Sequence, residues 1–421
     1  MIFIAFGRDH TFKDLQSVQA ELNQFMRQLT PQKSARGSAA VPYLTASGDA
    51  NLGQRVEICR GVSEFSGAWV VEEVSDPASP QFVLRRLIFL SNQGLVQSEA
   101  RRCCESESSN SPSIVPARFD FSHLSCGYYG AFVSGLMWSD AVQAAAAKSA
   151  PESSDLHGAL IGLGGGLFPM YLHEALPCLR LHCVELDIAV VDIARNHFGF
   201  SAKSDRMTVE VCDGLEWVAA RSSRVSANSD IACSSQSSSA AALDAPVPPA
   251  NPIQPSLHFL FIDVDSKNES SGLACPPAAF VEQSFLQHVH SILLPRGLLL
   301  LNLVCRAKDL FQSIVALARS VFASVHLLSI PDDVNVCLIC IAHDASRAAT
   351  DDAEDASAAD EDSPAIGGTM SLTQRIEAFR SLLHPKFRDS VDLAALAAAT
   401  QIDSGQTQSA AKKKRRNKKK K

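Results

Sequence analysis

A glycine-rich turn between two apolar runs constrains the fold of this chain more than any other feature. Residues 159–163 predict a buried strand, and four glycines then allow a tight turn that a ligand can approach closely: Gly162, Gly164, Gly165 and Gly166. A second apolar run, residues 181–184, ends in Glu185. A carboxylate at this place in a βαβ unit accepts hydrogen bonds from ribose hydroxyls. The pattern predicts a nucleoside site, although a glycine turn alone also occurs in β–α connections that bind no ligand.

The segments around and after this turn alternate between strand and helix patterns. Predicted strands cover residues 159–163, 181–184, 207–211, 257–262 and 297–303, and predicted helices cover residues 167–176, 188–198, 215–220, 278–293 and 310–321. Two more strands, residues 324–329 and 334–341, close the series. Such alternation indicates a mostly parallel sheet with helices on both faces and an antiparallel pair at one edge. The sequence therefore predicts an α/β fold with the seven-strand, Rossmann-like layout of class I methyltransferases.

The flanking regions predict smaller elements and low-complexity segments. Residues 1–53 predict a partial segment with a strand and an amphipathic helix over 12–29, and residues 54–100 predict a small β-rich lead-in. A flexible loop over 101–117 then precedes the main domain, residues 118–343, which begins with a helix over 123–138. Ser, Ala and Pro dominate residues 222–256, which predicts a disordered insertion. The remainder, residues 344–421, predicts a low-complexity tail with an isolated helix over 372–383.

The composition excludes a generally disordered chain and a membrane protein. Hydrophobic residues make up 46% of the 421 residues, enough for a core, and no apolar run reaches the length of about 18 residues that a membrane span needs. The 12 cysteines have no regular spacing and Met1 begins no secretion signal, so we expect a reduced, cytoplasmic compartment. Cys337 and Cys340 form a CxxC pattern within a predicted strand. Residues three apart on a strand face opposite sides, so no redox or metal site is predicted there.

The net charge of −7 hides two opposite runs near the C-terminus. Residues 344–362 are rich in acids, and residues 412–421 are almost entirely Lys and Arg. The basic run predicts a nuclear signal or a contact with RNA or ribosomes, and a solvated tail without function is an equal alternative.

Carboxylates follow three successive strands of the predicted sheet. They are Glu185 after the second strand, Asp213 with Gly214 after the third, and Asp263 and Asp265 after the fourth. The carboxyl ends of parallel strands open into one crevice, so these side chains are expected to converge. We expect Asp213 to accept from the exocyclic amine of an adenine, with Gly214 leaving room for the ring. The alternative for each acid is capping of the helix or turn that follows.

Several segments resemble the C-terminal half of the methyltransferase-like protein 13 family, the dual elongation factor 1-alpha lysine and N-terminal methyltransferases. The likeness covers roughly residues 1–342 and is carried by residues 84–101, 161–166, 198–201, 261–267, 275–287 and 301–306. It implies a spermidine-synthase-like core that binds S-adenosylmethionine. It also implies methylation of the α-amino group at the processed N-terminus of elongation factor 1-alpha.

The resemblance assigns roles to individual residues. Those implied to bind S-adenosylmethionine are Gly162, Gly164, Gly165, Glu185, Asp213 and Asp263. Asp265 and Asn335 are implied to hold the substrate amine, with no metal. The family's lysine activity belongs to a separate methyltransferase domain that this sequence lacks, so that activity is not transferred. Asn268 also departs from the related pattern, which tends to have Asp there.

Two other functions share these features. An aminopropyltransferase such as spermidine synthase uses the same fold and nucleoside site, but Asn268 and the apolar Cys275-Pro-Pro segment do not suggest the acidic groove that a polyamine needs. A non-catalytic scaffold that contacts RNA through residues 412–421 is the second alternative, and the intact set of carboxylates argues against it.

Overall fold

The structure is a computed structural model that describes ten stretches of the chain. They are residues 15–29, 55–75, 82–92, 95–103, 118–148, 154–234, 257–266, 272–330, 333–344 and 370–401. The chain divides into two compact units, one of residues 1–120 with 196–199 and one of residues 121–195 with 200–421. No helix within the described stretches is long and apolar enough to cross a bilayer.

The first unit contains one helix and a four-stranded antiparallel sheet. The helix is α1 (Leu15–Leu29), and the strands, paired in chain order, are β1 (Arg55–Ser63), β2 (Gly67–Ser75), β3 (Val83–Phe89) and β4 (Ser98–Arg102). The sequence predicts the first three strands but not β4, and it places residues 101 and 102 in the flexible loop. This strand is too polar to be recognised by an apolar run. It is stabilised by charge pairs with neighbouring strands, as in the 2.6 Å bond between Arg86 Nε and Glu99 Oε2. The predicted strand before residue 10, and residues 104–117 of the predicted loop, lie outside the described residues.

The second unit contains the remaining elements in alternating order. Its helices are α2 (Gly127–Gly135), α3 (Asp140–Ala146), α4 (Leu167–Ala175), α5 (Ile188–His197), α6 (Gly214–Ser234), α7 (Gln283–Ile292), α8 (Lys308–Val321), α9 (Leu372–Leu382) and α10 (Leu393–Ala399). Its strands are β5 (Leu156–Ile161), β6 (Leu179–Glu185), β7 (Met207–Val211), β8 (Leu257–Ile262), β9 (Leu273–Cys275), β10 (Leu293–Cys305), β11 (Ser324–Ser329), β12 (Val336–Ile341) and β13 (Thr400–Gln401). Every strand and helix predicted between residues 159 and 341 corresponds to one of these elements.

The sheet of this unit has the strand order β13-β11-β12-β10-β8-β5-β6-β7. The strands from β10 to β7 pair in parallel, and β10, β12, β11 and β13 pair in antiparallel fashion, while the short β9 pairs with β10 alone. The chain runs outward from β5 through β6 and β7 and then returns to β8 on the other side of β5. A reversal of this kind leaves a crevice beyond the carboxyl ends of β5 and β8.

Strict alternation along the strands divides the apolar side chains between two faces of the sheet. On β10, Leu298 and Leu300 pack with helices α2, α4, α9 and α10, and Leu299 and Leu301 pack with helices α6, α7 and α8. The same division separates Cys337 from Cys340 on β12, and both thiols are fully buried with a raised pKa caused by burial. The unit is therefore a three-layer α/β structure, and the CxxC pattern belongs to its core.

The C-terminal part of the chain differs from the predicted low-complexity tail, because residues 370–401 fold onto the second unit. Phe379, Phe387 and Leu393 are at most 1% exposed and belong to the core cluster that contains helix α2. The segment is tied to helix α4 by the hydrogen bond from His384 N to Ala175 O, 2.8 Å long. The helix predicted over 372–383 is therefore present but not isolated. Residues 345–369 and the basic run lie outside the described residues.

Helix α6 also corrects the predicted insertion. Residues 222–234 were predicted to be disordered, whereas the helix that begins at Gly214 continues to Ser234. Ser222 is 6% exposed, and its Oγ accepts a 2.8 Å hydrogen bond from Ser291 Oγ of helix α7. Low-complexity composition masked this continuation, because Ser and Ala are compatible with helix when the neighbouring helix supplies contacts. Residues 235–256 of the predicted insertion lie outside the described residues.

Candidate active site

The glycine turn lies between β5 and α4, at the carboxyl edge of the parallel strands. Gly162, Gly164 and Gly166 have φ of 93°, 54° and 75°, a region that side-chain-bearing residues rarely adopt. A Cβ atom on Gly162 would overlap the backbone carbonyl of Asp263, so the turn and the end of β8 are in direct contact. Gly162, Gly164 and Gly166 are the glycines of this turn with a left-handed backbone.

Glu185, the last residue of β6, is bonded to this turn. Its Oε2 accepts from the backbone N–H of Leu163 at 2.8 Å, and its Oε1 accepts from Asp187 N at 2.9 Å. Burial raises the pKa of this carboxyl above its ordinary value, and the backbone donors oppose that rise. Each oxygen keeps a further lone pair, so the carboxylate can also accept from hydroxyl groups in the crevice.

Three apolar side chains remain exposed beside Glu185, and the sequence prediction missed them. Leu186 is 46% exposed, Ile188 is 53% exposed, and Val211 is 43% exposed. Val211 lies opposite Glu185 in the register between β6 and β7. Large apolar residues exposed around an acidic site are typical of a surface that packs against the flat face of a ligand. The sequence signal for this surface is the alternation of apolar residues beyond the end of β6, at Leu186 and Ile188.

Asp213 follows β7 at the carboxyl edge of the sheet, and one of its oxygens has a structural role. Its Oδ1 accepts from the backbone N–H of Leu215 at 2.7 Å and so caps the start of helix α6. The capping alternative is therefore realised, with the second oxygen left for other donors. A Cβ atom on Gly214 would overlap the side chain of Ile161 on β5, so packing requires a glycine here, and the predicted room for an adenine ring stays a prediction.

Asp263 is the most strongly perturbed acid of the crevice. Its Oδ2 accepts from Tyr128 Oη at 3.1 Å, and its Oδ1 accepts from Asn302 Nδ2 at 3.3 Å. Burial and the charge of nearby Asp265 raise the pKa of Asp263 to about 6, while these hydrogen bonds oppose the rise. The carboxyl is therefore ionised at neutral pH and becomes protonated in mild acid.

The two residues predicted to hold the substrate amine are Asp265 and Asn335. Asp265 acts on Asp263 by its charge, and Asn335 is linked to Asp263 through Asn302. Asp265 lies beyond the end of β8 with an exposed side chain, close enough for its charge to act on Asp263. Asn335 lies just before β12, and its Nδ2 donates to Asn302 Oδ1 at 2.8 Å. Asn302 thus joins Asn335 to Asp263. Tyr128 and Asn302 were missed, although a lone Asn within the apolar run of β10 was a usable signal.

Taken together, the strand order and the crevice define the class I methyltransferase fold, which confirms the predicted fold class. Glu185 accepts from Leu163 within the glycine turn, the backbone carbonyl of Asp263 lies against Gly162, and Gly214, next to Asp213, lies against Ile161 at the start of the turn. The predicted roles of these three acids in binding a nucleoside stay predictions. No group of three or more metal-binding side chains is found in the part of the chain that the structure describes.

Within that class, the chain is similar to the eEF1A lysine and N-terminal methyltransferases, which confirms the resemblance predicted from the sequence. The relative from Danio rerio is 34% identical over 331 residues, and the alignment covers 75% of this chain and 42% of the relative. The chain thus spans about two fifths of the length of that protein. No protein-family model matches the chain.

Two solved structures are similar to the fold. Human methyltransferase-like protein 13 in complex with SAH has a TM-score of 0.45 and 26% identity, covering 68% of this chain and 99% of that one. A probable spermidine synthase from Corynebacterium glutamicum has a TM-score of 0.42 and 20% identity, covering 67% and 79%.

Proposed function

We propose that this chain is an S-adenosylmethionine-dependent methyltransferase that modifies the α-amino group at the N-terminus of elongation factor 1-alpha. The observation that carries the proposal is the glycine turn after β5, which bonds the Glu185 carboxylate at the end of β6 and lies against the backbone of Asp263 at the end of β8. The similarity to the Danio rerio eEF1A lysine and N-terminal methyltransferase supports both the reaction and the substrate.

The crevice contains groups that match the ribose, the adenine and the cationic end of this cofactor. Glu185 can accept from the two ribose hydroxyls, and the oxygen of Asp213 that does not cap helix α6 can accept from the exocyclic amine of adenine. Leu186, Ile188 and Val211 supply apolar surface for the base. Asp263, which contacts the turn from the β8 side, provides negative charge for the cationic end of the cofactor. Gly162, Gly164 and Gly165 form the turn beneath it.

The chemistry that remains for the protein is capture and alignment of the amine. The cofactor supplies an activated methyl group, which moves from sulfur to the amine nitrogen. An α-amino group has a pKa of about 7.7–8.0, against about 10.4 for lysine, so a useful fraction is neutral near pH 7. A carboxylate favours the ammonium form, so Asp265 acts as an acceptor that captures the amine, which loses its proton to water before attack. Asn335 provides a second, uncharged acceptor. Fixing this geometry is the main contribution to the rate.

Mass spectrometry of the substrate tests the proposal. Purified protein is incubated with S-adenosylmethionine and recombinant elongation factor 1-alpha, and we expect methyl groups on the N-terminal peptide. Asp265→Ala is expected to lose this activity while it retains the thermal shift caused by the cofactor, which stabilises only the folded state. Asp192→Ala, which removes an exposed acid from helix α5, is the matched control and is expected to keep the activity.

Parallel reactions distinguish the alternatives. Elongation factor 1-alpha with an acetylated N-terminus has no free α-amino group and should remain unmodified. Production of spermidine from putrescine and decarboxylated S-adenosylmethionine, without peptide methylation, would instead identify an aminopropyltransferase. Absence of any thermal shift with either cofactor would favour the non-catalytic scaffold.

A further inference from the structure

The crevice contains a chain of three hydrogen-bonded side chains from three different strand ends. Asn302 of β10 is its middle member: Nδ2 donates to Asp263 Oδ1 at 3.3 Å, and Oδ1 accepts from Asn335 Nδ2 at 2.8 Å. Asn302 is 3% exposed, so these two bonds are made away from bulk water.

A buried asparagine is an unusual choice at this position. Four consecutive leucines precede Asn302 on β10, and Leu303 follows it. By strand alternation its side chain shares the face of Leu300, which is the face covered by helix α2. Asparagine is disfavoured in strands, and a buried amide destabilises the fold unless both of its ends are paired. Leucine would fit the surrounding pattern, so the amide has a role that packing does not explain.

The orientation of each amide in this chain follows from its neighbour. An ionised carboxylate only accepts hydrogen bonds, so Asn302 has to present its NH2 group to Asp263. Its oxygen then faces Asn335, which has to donate its own NH2 group. The oxygen of Asn335 is consequently the end directed away from Asn302. Amide orientation is decided by the hydrogen-bond network in this way, not by shape.

We infer that Asn302 is a positioning residue that turns the Asn335 oxygen toward the substrate amine and holds Asp263 in place. The inference rests on the proposed function, because it assumes that Asn335 accepts from an amine. An unrestrained Asn335 would present a donor to the amine as readily as an acceptor. Tyr128 still donates to Asp263 when the bond from Asn302 is lost, so we expect Asn302 to affect binding of the methyl acceptor more than binding of the cofactor.

Among the residues that the structure describes, Asp263 has few other titrating neighbours. Tyr128 and Tyr129 face it from helix α2, and Cys275 faces it from β9. The pKa of each of these three groups is raised by burial, so they stay neutral over the working range. Asp265 is the charged group that acts on Asp263. The hydrogen bond from Asn302 lowers the pKa of Asp263. Loss of this bond should therefore raise that pKa and move the acid limb of the pH profile of activity to higher pH.

Two substitutions at Asn302 separate its two bonds. Asn302→Leu removes both, so we expect the KM for the N-terminal peptide to rise about 10-fold, as for loss of one well-aligned hydrogen bond in a binding site. The KM for S-adenosylmethionine should stay within about twofold, and the acid limb should move to higher pH. Asn302→Asp keeps an acceptor for Asn335 but loses the donor to Asp263. For this variant we expect a larger movement of the limb toward higher pH, because the second carboxylate beside Asp263 also raises its pKa by like-charge repulsion, with a peptide KM near that of the wild type once both acids are ionised.

Leu300→Ala is the matched control, one pleat away on the same face of β10 and 0% exposed. It should lower the Tm through lost packing but leave the peptide KM and the acid limb unchanged. Equal peptide KM values and pH profiles in the wild type and in both Asn302 variants would overturn the inference, as would equal losses in the binding of peptide and cofactor. If the wild type itself does not methylate the peptide, the proposed function fails instead.

Discussion

At the scale of the residue, Asp263 is a carboxylate kept ionised in a place that disfavours its charge. Its pKa in the folded chain is about 6, against an ordinary value of 3.8 for an aspartic acid, and burial is the main cause. The folded protein therefore binds this proton more tightly than the unfolded chain does. Above pH 6 the ionised group lowers stability, and the loss is relieved as the pH falls from 6 toward 4.

Asp263→Asn should consequently stabilise the fold while it abolishes activity. One pKa unit corresponds to about 1.4 kcal/mol, so the variant should be more stable than the wild type by about 2–3 kcal/mol at pH 8. The difference should shrink as the pH falls below 6. Urea unfolding between pH 5 and pH 8 measures it. Asp192→Asn removes the same charge from an exposed site and should change stability by less than about 0.5 kcal/mol. A less stable Asp263→Asn protein at pH 8 would contradict this account.

Gly162 allows a second prediction at this scale, because strain and overlap can be separated. Alanine at this position would have φ near 93° and its Cβ would overlap the Asp263 carbonyl. Gly67, with φ of 73°, has open space where a Cβ would lie, so Gly67→Ala tests strain alone. We expect a loss of about 1 kcal/mol for Gly67→Ala and a larger loss, with weaker cofactor binding, for Gly162→Ala. Chemical unfolding and calorimetric titration measure the two effects, and equal losses of stability would exclude a steric role for Gly162.

A site residue was predictable from the sequence where the strand that it follows determines its position. Glu185 and Asp263 end apolar runs, so their positions follow from local pattern. Tyr128 could not be predicted, because its bond to Asp263 joins residues 135 apart in the sequence. Asn302 was visible as an exception within an apolar run, but its partners depend on the strand order, which no local pattern contains.

At the scale of the element, residues 370–401 pack into the core of the second unit, which the sequence did not predict. Phe387 follows helix α9, is 1% exposed, and contacts the ring of Tyr171 on helix α4 at 5.2 Å between centroids in an edge-to-face arrangement. Ser390 adds a 2.7 Å hydrogen bond to the Tyr171 hydroxyl. Such aromatic contacts depend on tertiary structure. The capping box formed by Ser371 and Gln374 was the local signal that a helix begins there.

Phe387→Ala should therefore destabilise the second unit strongly. Removal of a buried aromatic ring typically costs about 3–5 kcal/mol. Thermal unfolding should show a clear fall in Tm, whereas Leu372→Ala, a change at a side chain that is 38% exposed on helix α9, should have little effect. Similar Tm values for the Phe387 variant and the wild type would mean that this segment does not contribute to the core in solution.

At the scale of the whole molecule, composition predicts the central sheet better than it predicts how far the helices that cover it extend along the chain. The parallel sheet followed from apolar runs of strand length, because strands buried on both faces have to be apolar throughout. The extent of α6 and the role of residues 370–401 did not follow, because Ser- and Ala-rich sequence is equally compatible with helix and with disorder. What decides between the two is the presence of a neighbouring surface, such as Ser291 for α6.

The late position of residues 370–401 in the chain has a consequence for synthesis. The helical layer that starts at α2 is completed only when α9 and α10 have emerged from the ribosome, about 264 residues after the end of α2, and β13 then pairs with the otherwise open edge of β11. Until that moment the nascent protein presents an aromatic surface around Tyr171 and an unpaired strand, both of which favour association with other chains. Translation of this protein is therefore expected to depend on chaperones that shield exposed apolar surface.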